Sequence, residues 1–338
     1  MILIDSIYIH NGGGKNILDN LCSKIQEIGL DSNFFLLLDS RYTGEVRFKN
    51  FQKIHPHEIN RLKFYRQNKY SFNRVICLSN VPPPLKIDKK VDIYFHNDLF
   101  INPLKNRLKL FNKLKLLIKR YYIQYRNRSN YVWNVQTNLM KKKIKNEFKI
   151  VEDKINVFPI FDEYYSQKSK KNRKNFLYVS NFSEHKNHWL LFKAFQDVSN
   201  KINYEISLEL TLPKKVFANS FYSKAVLNKN LKIINHGVLN KFDLSNLYSK
   251  SRFLIFPSLN ESFGLPLIEA VMNDCFVLSS NKDYVYEIID PTLTFDPNSI
   301  ESISSVIYEA LNSDILKESK LIIENKIGSF VKYILRDV

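Results

Sequence analysis

Cysteine is scarce in this chain of 338 residues, which contains only Cys22, Cys77 and Cys275, far apart from one another. Their spacing fits neither a disulfide framework nor a zinc site, and it indicates a reducing compartment. No apolar run approaches the roughly 18 residues of a membrane-spanning helix. The first ten residues lack a basic segment and are interrupted by Asp5, so we expect a strand there and no signal peptide. The sequence therefore predicts a protein that is cytosolic or lies on a membrane surface.

Acidic residues are absent between Leu99 and Asn146, where thirteen lysines and arginines occur in a chain of net charge +18. Apolar residues recur at helical spacing among these cations, at Leu108, Phe111, Leu114, Leu117 and Ile118. A basic amphipathic helix of this kind is expected to lie on an anionic bilayer, where each cation contributes about 1 kcal/mol. The alternative is a domain helix with a solvated basic face. The candidate membrane surface comprises Arg107, Lys109, Lys113, Lys115, Lys119 and Arg120.

Short apolar runs alternate with helical segments along the whole chain, a pattern typical of an α/β architecture with parallel sheets. The hydrophobic content of 44% and the length fit two globular domains. Strands are predicted in the first half at Ile2–Ile9, Asn33–Leu38, Arg74–Leu78, Asp92–Phe95 and Tyr131–Val135, and the segment Ile155–Ile160 closes that domain. In the second half they are predicted at Phe176–Val179, Glu205–Thr211, Leu231–Ile234, Phe253–Phe256 and Cys275–Ser279. The polar stretch Gln167–Lys174 has the composition of a linker.

The run Pro257–Ala270 places two carboxylates, Glu261 and Glu269, eight positions apart across a loop that leads into a helix. Gly264 allows a tight turn, and Pro266 suits the first turn of a helix because its missing N–H is not needed there. The free N–H groups of such a helix start attract anions, phosphates above all. Ionised carboxylates accept hydrogen bonds from hydroxyls, so sugar and ribose are the partners we expect for the two glutamates. The alternative for either one is a carboxylate that complements the helix dipole.

This run resembles the Glu-x7-Glu signature of the retaining family-four glycosyltransferases, which have the GT-B fold. The likeness is continuous from about Phe176 to Ile307 and includes the segments Gly237–Tyr248, Val277–Ser280, Tyr284–Ile289 and Phe295–Pro297. It implies two Rossmann-like domains that face each other across a cleft. The acceptor-side domain would span residues 1–162, the nucleotide-sugar domain residues 163–314, and a last helix, about Ile315–Leu335 within 315–338, would return to the first domain.

The resemblance also implies roles for the residues of the Glu-x7-Glu run. Glu261 would hold the hydroxyls of the donor sugar, and Glu269 the ribose. The residues between them would line the donor site: Ser262, Phe263, Gly264 and Leu265. We therefore count Glu261 among the catalytic residues and the rest as donor-binding.

Three glycines, Gly12, Gly13 and Gly14, follow the first predicted strand and precede a helical segment. Glycines in this position let the backbone approach a phosphate closely, although glycine turns after strands are common. The segment lacks the full dinucleotide fingerprint and a Walker lysine. In the transferases that the chain resembles, a glycine loop here lines the cleft near the donor diphosphate.

His96 directly follows the predicted strand Asp92–Phe95, at the sheet edge where open parallel sheets bind ligands. A single histidine is often a structural residue. Its place matches a histidine near the reacting sugar in many relatives, so we predict a catalytic or donor-orienting role.

The segment from Tyr178 to His188 resembles the family motif that carries an arginine and, five residues later, a lysine, both on the donor pyrophosphate. Lys186 matches the lysine and would stabilise the charge that builds on the leaving phosphate. A surface lysine is the alternative. Asn181 stands in place of the arginine and brings no charge, so either His185 or a basic residue of the first domain substitutes, or donor affinity and activity are reduced.

These observations predict a retaining glycosyltransferase that moves a sugar from a nucleotide diphosphate to an acceptor hydroxyl. The resemblance to bacterial surface-polysaccharide enzymes implies a polyprenyl-diphosphate-linked glycan acceptor in O-antigen or capsule assembly, and a location on the cytoplasmic face of the inner membrane. No Asp-x-Asp pair occurs, so we expect no metal and no cofactor besides the donor. Three alternatives stay open: a degenerate nucleotide-sugar-binding protein, an epimerase on the same fold, and a basic nucleic-acid-binding protein without a recognised motif.

Overall fold

The computed structural model describes residues 1–68, 70–101, 103, 110–163, 172–225 and 228–336. The chain divides into two compact units, Met1–Asp162 together with Glu324–Val338, and Glu163–Ile323. Within the described residues, no helix combines the length and the apolar character needed to cross a bilayer.

Unit 1 is built on a parallel sheet of seven strands in the order β3-β2-β1-β4-β5-β6-β7. Its strands are β1 Ile2–Ser6, β2 Phe34–Asp39, β3 Phe51–Ile54, β4 Arg74–Cys77, β5 Lys90–Phe95, β6 Val132–Val135 and β7 Ile155–Val157. Its first four helices are α1 Gly12–Glu27, α2 Glu58–Asn68, α3 Leu110–Arg126 and α4 Asn138–Phe148. The order in which the chain adds strands to the sheet reverses between β1 and β4, which are neighbours. The loops after β1, β4 and β5 therefore lie together at the carboxyl ends of the strands.

Unit 2 contains a second parallel sheet in the order β10-β9-β8-β11-β12-β14, and an antiparallel pair of β13 with β15. Its strands are β8 Asn172–Tyr178, β9 Ile206–Leu210, β10 Leu231–Asn235, β11 Ser251–Phe256, β12 Phe276–Ser280, β13 Ile289–Asp290, β14 Leu293–Phe295 and β15 Lys320–Leu321. Its helices are α5 His188–Lys201, α6 Lys214–Ala218, α7 Phe221–Lys224, α8 Lys241–Lys250, α9 Leu265–Met272, α10 Asp283–Tyr286 and α11 Ile300–Asn312. The predicted α/β class with parallel sheets is thus confirmed.

The last helix, α12 Ile327–Leu335, belongs to unit 1 and buries Phe330, Val331 and Ile334 there. Arg74, itself buried, donates to the backbone carbonyls of Tyr333 and Ile334, both at 3.0 Å. These carbonyls lie in the last helical turn, where that of Tyr333 also accepts from the N–H of Arg336 at 3.4 Å, so the guanidinium helps to cap α12.

Two predicted boundaries are corrected. The last helix begins at Ile327 and not near Ile315, because the intervening segment contains β15, which pairs with β13. Of the predicted linker Gln167–Lys174, residues 167–171 lie outside the described residues, and Asn172–Lys174 already belong to β8. Strand β3 was not predicted, because three of its four residues are exposed at the sheet edge and leave no apolar run.

Candidate functional site

The loop between β11 and α9 folds as the run Pro257–Ala270 predicts. Gly264 precedes α9 with φ +84°, a backbone conformation that L side chains rarely adopt. Pro266 lies in the first turn of α9. Of the residues predicted around this turn, Ser262 and Leu265 are partly exposed and Phe263 is buried. The turn therefore presents the first N–H groups of α9 at the end of the sheet.

Lys186 and Glu261, predicted as separate donor contacts, touch each other. The Nζ atom of Lys186 lies 2.5 Å from Oε1 of Glu261, and each side chain is only 12% exposed. The hydroxyl of Ser258, which is fully buried, donates to the same Glu261 oxygen at 2.5 Å. The carboxylate is thus held by a cation and a hydroxyl at once.

Three further hydrogen bonds fix the two loops that carry this pair. Tyr178 donates its hydroxyl to the Lys186 carbonyl at 2.5 Å, and Tyr284 donates to the Ser258 carbonyl at 2.8 Å. The backbone N–H of Leu259 donates to the His185 carbonyl at 2.8 Å. Sequence reasoning did not identify Ser258, Tyr178 or Tyr284 as site residues. Each of these residues has a hydroxyl close to one of the predicted loops. Its role can be recognised only from the structure, in which the two loops are in contact.

Glu269 lies in the second turn of α9, where the hydroxyl of Tyr248 donates to its Oε2 atom at 2.9 Å. Burial and the nearby carboxylate raise the pKa of Tyr248 well above its usual value, so the phenol remains a donor. Glu269 is partly exposed and is separated from Glu261 by the turn at Gly264. Glu261 therefore lies in the loop and Glu269 about one turn inside the helix, as the sequence predicted.

Asn181 does not bring a charge to the loop after β8. Its Oδ1 accepts from the Ser183 hydroxyl at 3.0 Å, and its side chain is exposed. His185 lies one position before Lys186, and burial lowers its pKa below the ordinary value. His185 is therefore neutral at neutral pH and does not replace the charge of the missing arginine.

In unit 1 the predicted glycines and His96 come together. Helix α1 begins at Gly12, with φ +62°, and Gly14 lies in its first turn. A Cβ atom at Gly14 would lie 3.1 Å from Nε2 of His96, closer than most real contacts, whereas Gly12 and Gly13 face open space. The loops after β1 and β5 thus form one candidate site, as expected at the point where the chain reverses across the sheet.

Helix α3 carries the predicted basic surface, of which Arg107 and Lys109 lie outside the described residues. An exposed apolar row runs along it: Leu110, Phe111, Leu114, Ile118, Tyr121 and Tyr125 are 55–81% exposed. Leu117, predicted in this row, is partly buried. Lys115 and Lys119 are exposed and Lys113 is partly exposed. Arg120 pairs with Glu147 at 3.1 Å and also donates to its carbonyl, so its charge stabilises the end of α4.

Among the described residues, no group of three or more histidine, cysteine, aspartate or glutamate side chains is arranged to hold a metal ion.

Comparisons with known proteins agree with this geometry. The profile of the family described as "Glycosyl transferases group 1" matches residues 161–327. The chain is 38% identical to the O-antigen chain mannosyltransferase B of Escherichia coli over 77 residues, which are 22% of this chain and 20% of that protein. The chain thus spans about a fifth of the length of this relative.

Two solved structures are similar over most of the chain. WaaG, a glycosyltransferase involved in lipopolysaccharide biosynthesis, has a TM-score of 0.66 at 14% identity, with 93% of this chain and 91% of that chain covered. Anabaena Alr3699/HepE in complex with UDP-glucose has a TM-score of 0.66 at 12% identity, with 92% and 89% covered. At these identities the likeness shows the fold, two Rossmann-like units, and the predicted fold class is confirmed.

Proposed function

Because the chain belongs, through residues 161–327, to the group 1 glycosyl transferases with the GT-B fold, we propose that it transfers a sugar from a nucleotide-diphosphate donor to an acceptor hydroxyl, with retention of anomeric configuration. The observation that carries this proposal is the contact of Lys186 with Glu261, buttressed by Ser258, at the start of α9. It places a cation, a carboxylate and the start of a helix within one loop pair of unit 2.

The donor would exchange partners with the ion pair. A diphosphate would be a stronger partner for Lys186 than a single carboxylate, because it carries two negative charges and would lie at the start of α9. Glu261 would then be free to accept hydroxyl hydrogens of the sugar. The pair therefore keeps both groups pre-oriented, so that little reorganisation accompanies binding.

Bond breaking would place growing negative charge on the leaving diphosphate. Lys186 and the start of α9 would lie where that charge develops, and they would stabilise the leaving diphosphate more strongly than the less charged, intact donor. We propose no side-chain nucleophile. The acceptor hydroxyl would attack at the face that the diphosphate leaves and pass its proton to a phosphate oxygen, which retains the configuration.

We further propose that the acceptor is a lipid-linked glycan reached from a membrane surface. The exposed row on α3 supports this: Phe111, Leu114 and Ile118 would enter the interface, while Lys115 and Lys119 would meet anionic headgroups. The names of the relatives, an O-antigen mannosyltransferase and a lipopolysaccharide glycosyltransferase, support a role in surface-polysaccharide assembly. The cytoplasmic face of the inner membrane is part of the proposal.

The test is release of nucleoside diphosphate from a panel of UDP-, GDP- and dTDP-sugars, including GDP-mannose, by the purified protein in metal-free buffer. We expect one donor to be turned over slowly by water and both Lys186→Ala and Glu261→Ala to be impaired. Lys250→Ala and Glu205→Ala, which remove exposed charges elsewhere in unit 2, serve as matched controls. Failure of every donor to bind would contradict the proposal.

A second candidate function, a nucleotide-sugar-binding protein without turnover, is favoured by one observation. In the loop after β8 neither Asn181 nor the neutral His185 carries a charge, so Lys186 supplies the positive charge there. The family motif that this loop resembles has two cations, an arginine and a lysine. Donor binding without release of nucleoside diphosphate, in the presence and absence of lipid-linked acceptors, would select this candidate.

A further inference from the structure

Asn80, which no motif indicated, fastens the loop that carries His96. It follows β4 with φ +68° and is 5% exposed. Its Oδ1 atom accepts from the backbone N–H of His96 at 2.6 Å and from that of Asn97 at 3.0 Å. The pairing of β4 with β5 ends at Cys77 and Ile93, so these two N–H groups lie beyond the last ladder position. One side-chain oxygen thus satisfies both of them.

These two bonds also fix which way the Asn80 amide points. With Oδ1 committed to the backbone, the Nδ2 group is the atom that faces the imidazole, 3.4 Å from Nε2 of His96. An amide NH₂ can only donate. Nε2 must therefore carry a lone pair, and the proton of a neutral ring resides on Nδ1.

The rest of the surroundings favours a neutral ring and does not itself select the tautomer, since the buried Nδ1 meets no hydrogen-bond partner within the described residues. Nε2 faces the first turn of α1 at Gly14, where the helix dipole is positive and disfavours a second ring proton. Burial lowers the pKa of His96 to about 4, against a smaller opposite effect of the Tyr94 backbone carbonyl. Among the described residues, no charged side chain contributes to this shift.

We propose that Asn80 is a positioning residue that holds His96 as the neutral Nδ1–H tautomer, and that Nε2 exchanges its 3.4 Å contact with the Asn80 amide for a hydrogen bond from a hydroxyl of the bound sugar substrate. This role in turnover rests on the proposed function, whereas the tautomer itself does not. A neutral imidazole in this state orients a hydroxyl and does not supply a proton as a general acid. Gly14 leaves room on the same side of the ring, which a Cβ atom would take away.

The decisive variant is Asn80→Asp. Aspartate has the same shape and also tolerates a left-handed backbone, and one carboxylate oxygen can still accept from both N–H groups. The second oxygen, however, would face Nε2 as a negative acceptor and draw a proton onto it. An unchanged ring in the folded variant would show that the side chain of residue 80 does not face Nε2.

The experiment records long-range ¹H–¹⁵N spectra of protein labelled at its histidines, without donor, between pH 5.5 and 8, with His96 assigned from His96→Gln. We expect wild-type His96 to show a protonated Nδ1 and an unprotonated Nε2 throughout. In Asn80→Asp, Nε2 should be protonated and the ring should titrate within this range. Asn219→Asp, in an exposed position of unit 2, is the control and should match wild type.

An Nε2-protonated ring in the wild type would overturn the proposal, whether or not Asn80→Asp folds. An unchanged ring in a folded Asn80→Asp would overturn it as well. If the donor screen identifies a substrate, Asn80→Asp should lower kcat roughly tenfold, the loss expected for one buried hydrogen bond, and displace the pH profile. Absence of turnover with the expected tautomer would contradict the proposed function and leave the Asn80 assignment intact.

Discussion

The ammonium group of Lys186 lies 2.5 Å from Oε1 of Glu261, although the two residues are 75 positions apart in the sequence. The contact joins the loop after β8 to the loop after β11, on neighbouring strands of the unit 2 sheet. Each group is already the partner of the other. A bound nucleotide sugar must therefore replace the carboxylate as the partner of Lys186 and the ammonium group as the partner of Glu261.

Ser258→Ala tests how much the orientation of Glu261 matters. The variant removes the buried hydroxyl that donates to Glu261 Oε1, and it leaves the ion pair in place. We expect nucleotide-sugar affinity to fall roughly tenfold, the loss of one hydrogen bond to a charged group. Calorimetric titration with the donor identified by the screen measures this. Ser223→Ala removes an exposed hydroxyl of unit 2 and should have no effect, and equal affinities for all three proteins would refute the role of Ser258.

Asn181→Arg tests whether a missing charge limits this chain. An arginine at this exposed position would offer a bidentate contact to the diphosphate, and we expect donor affinity to rise about tenfold. Asn181→Gln lengthens the side chain without adding charge and should leave the affinity unchanged. If Asn181→Arg also fails to tighten binding, the diphosphate lies away from residue 181.

The row on α3 predicts binding to anionic vesicles. Substituting Phe111, Leu114 and Ile118 by serine should abolish sedimentation with vesicles that contain phosphatidylglycerol, because it removes the apolar side chains that would enter the interface. The matched control replaces three exposed apolar residues elsewhere, Ile59, Val151 and Ile315, and should bind as wild type does.

The same assay separates the alternatives for the α3 row. If the wild type forms a dimer and does not bind vesicles, and if the triple serine variant is a monomer, the α3 row is the contact surface for a second copy of the chain. Binding of RNA but not of vesicles by the wild type would support the alternative of a nucleic-acid-binding protein.

His188 predicts a pH-dependent stability of unit 2. Burial lowers its pKa to about 4, from an ordinary value near 6.5. A group with a depressed pKa in the folded state stabilises the fold above the unfolded value and loses that contribution as the pH falls towards 4, by roughly 3 kcal/mol in all. The protection factors of the α5 amides, which correct hydrogen exchange for its intrinsic pH dependence, should therefore fall between pH 6.5 and 4.

The variant His188→Gln should flatten this dependence, because glutamine does not titrate. His96, with a similarly lowered pKa, lies in unit 1 and should leave the exchange of α5 unaffected. An equally steep dependence in His188→Gln would assign it to other groups.

The sequence was sufficient for the parts of the fold that depend on local pattern. Buried parallel strands are continuous apolar runs, so Arg74–Cys77 and Phe253–Phe256 could be located, and Gly264 with Pro266 marked the start of α9. Strand β3 was not predicted from the sequence, because an exposed edge strand needs no apolar run. Helix α12 was extended too far because the short β15 pairs with β13, a contact between distant segments.

The candidate site was predictable as a set of residues and not as an arrangement. Glu261 and Lys186 follow from their motifs, but their mutual contact depends on how two loops meet at the end of the sheet. Asn80 and Ser258 act through hydrogen bonds to residues that only the fold brings near. Neither has a sequence signal of its own, since a single asparagine or serine in a loop usually serves the local turn.

Binding of sugar-free UDP and GDP, measured by calorimetry on wild type, Lys186→Ala and Glu261→Ala, tests the central claim most directly. If Lys186 holds the diphosphate and Glu261 holds the sugar, Lys186→Ala should weaken binding of the preferred nucleotide at least tenfold, the loss of a hydrogen bond to a charged group. Glu261→Ala should not weaken it, and should tighten it, because it frees the lysine from its carboxylate partner. Absence of binding by wild type, or equal weakening by both variants, would contradict the account.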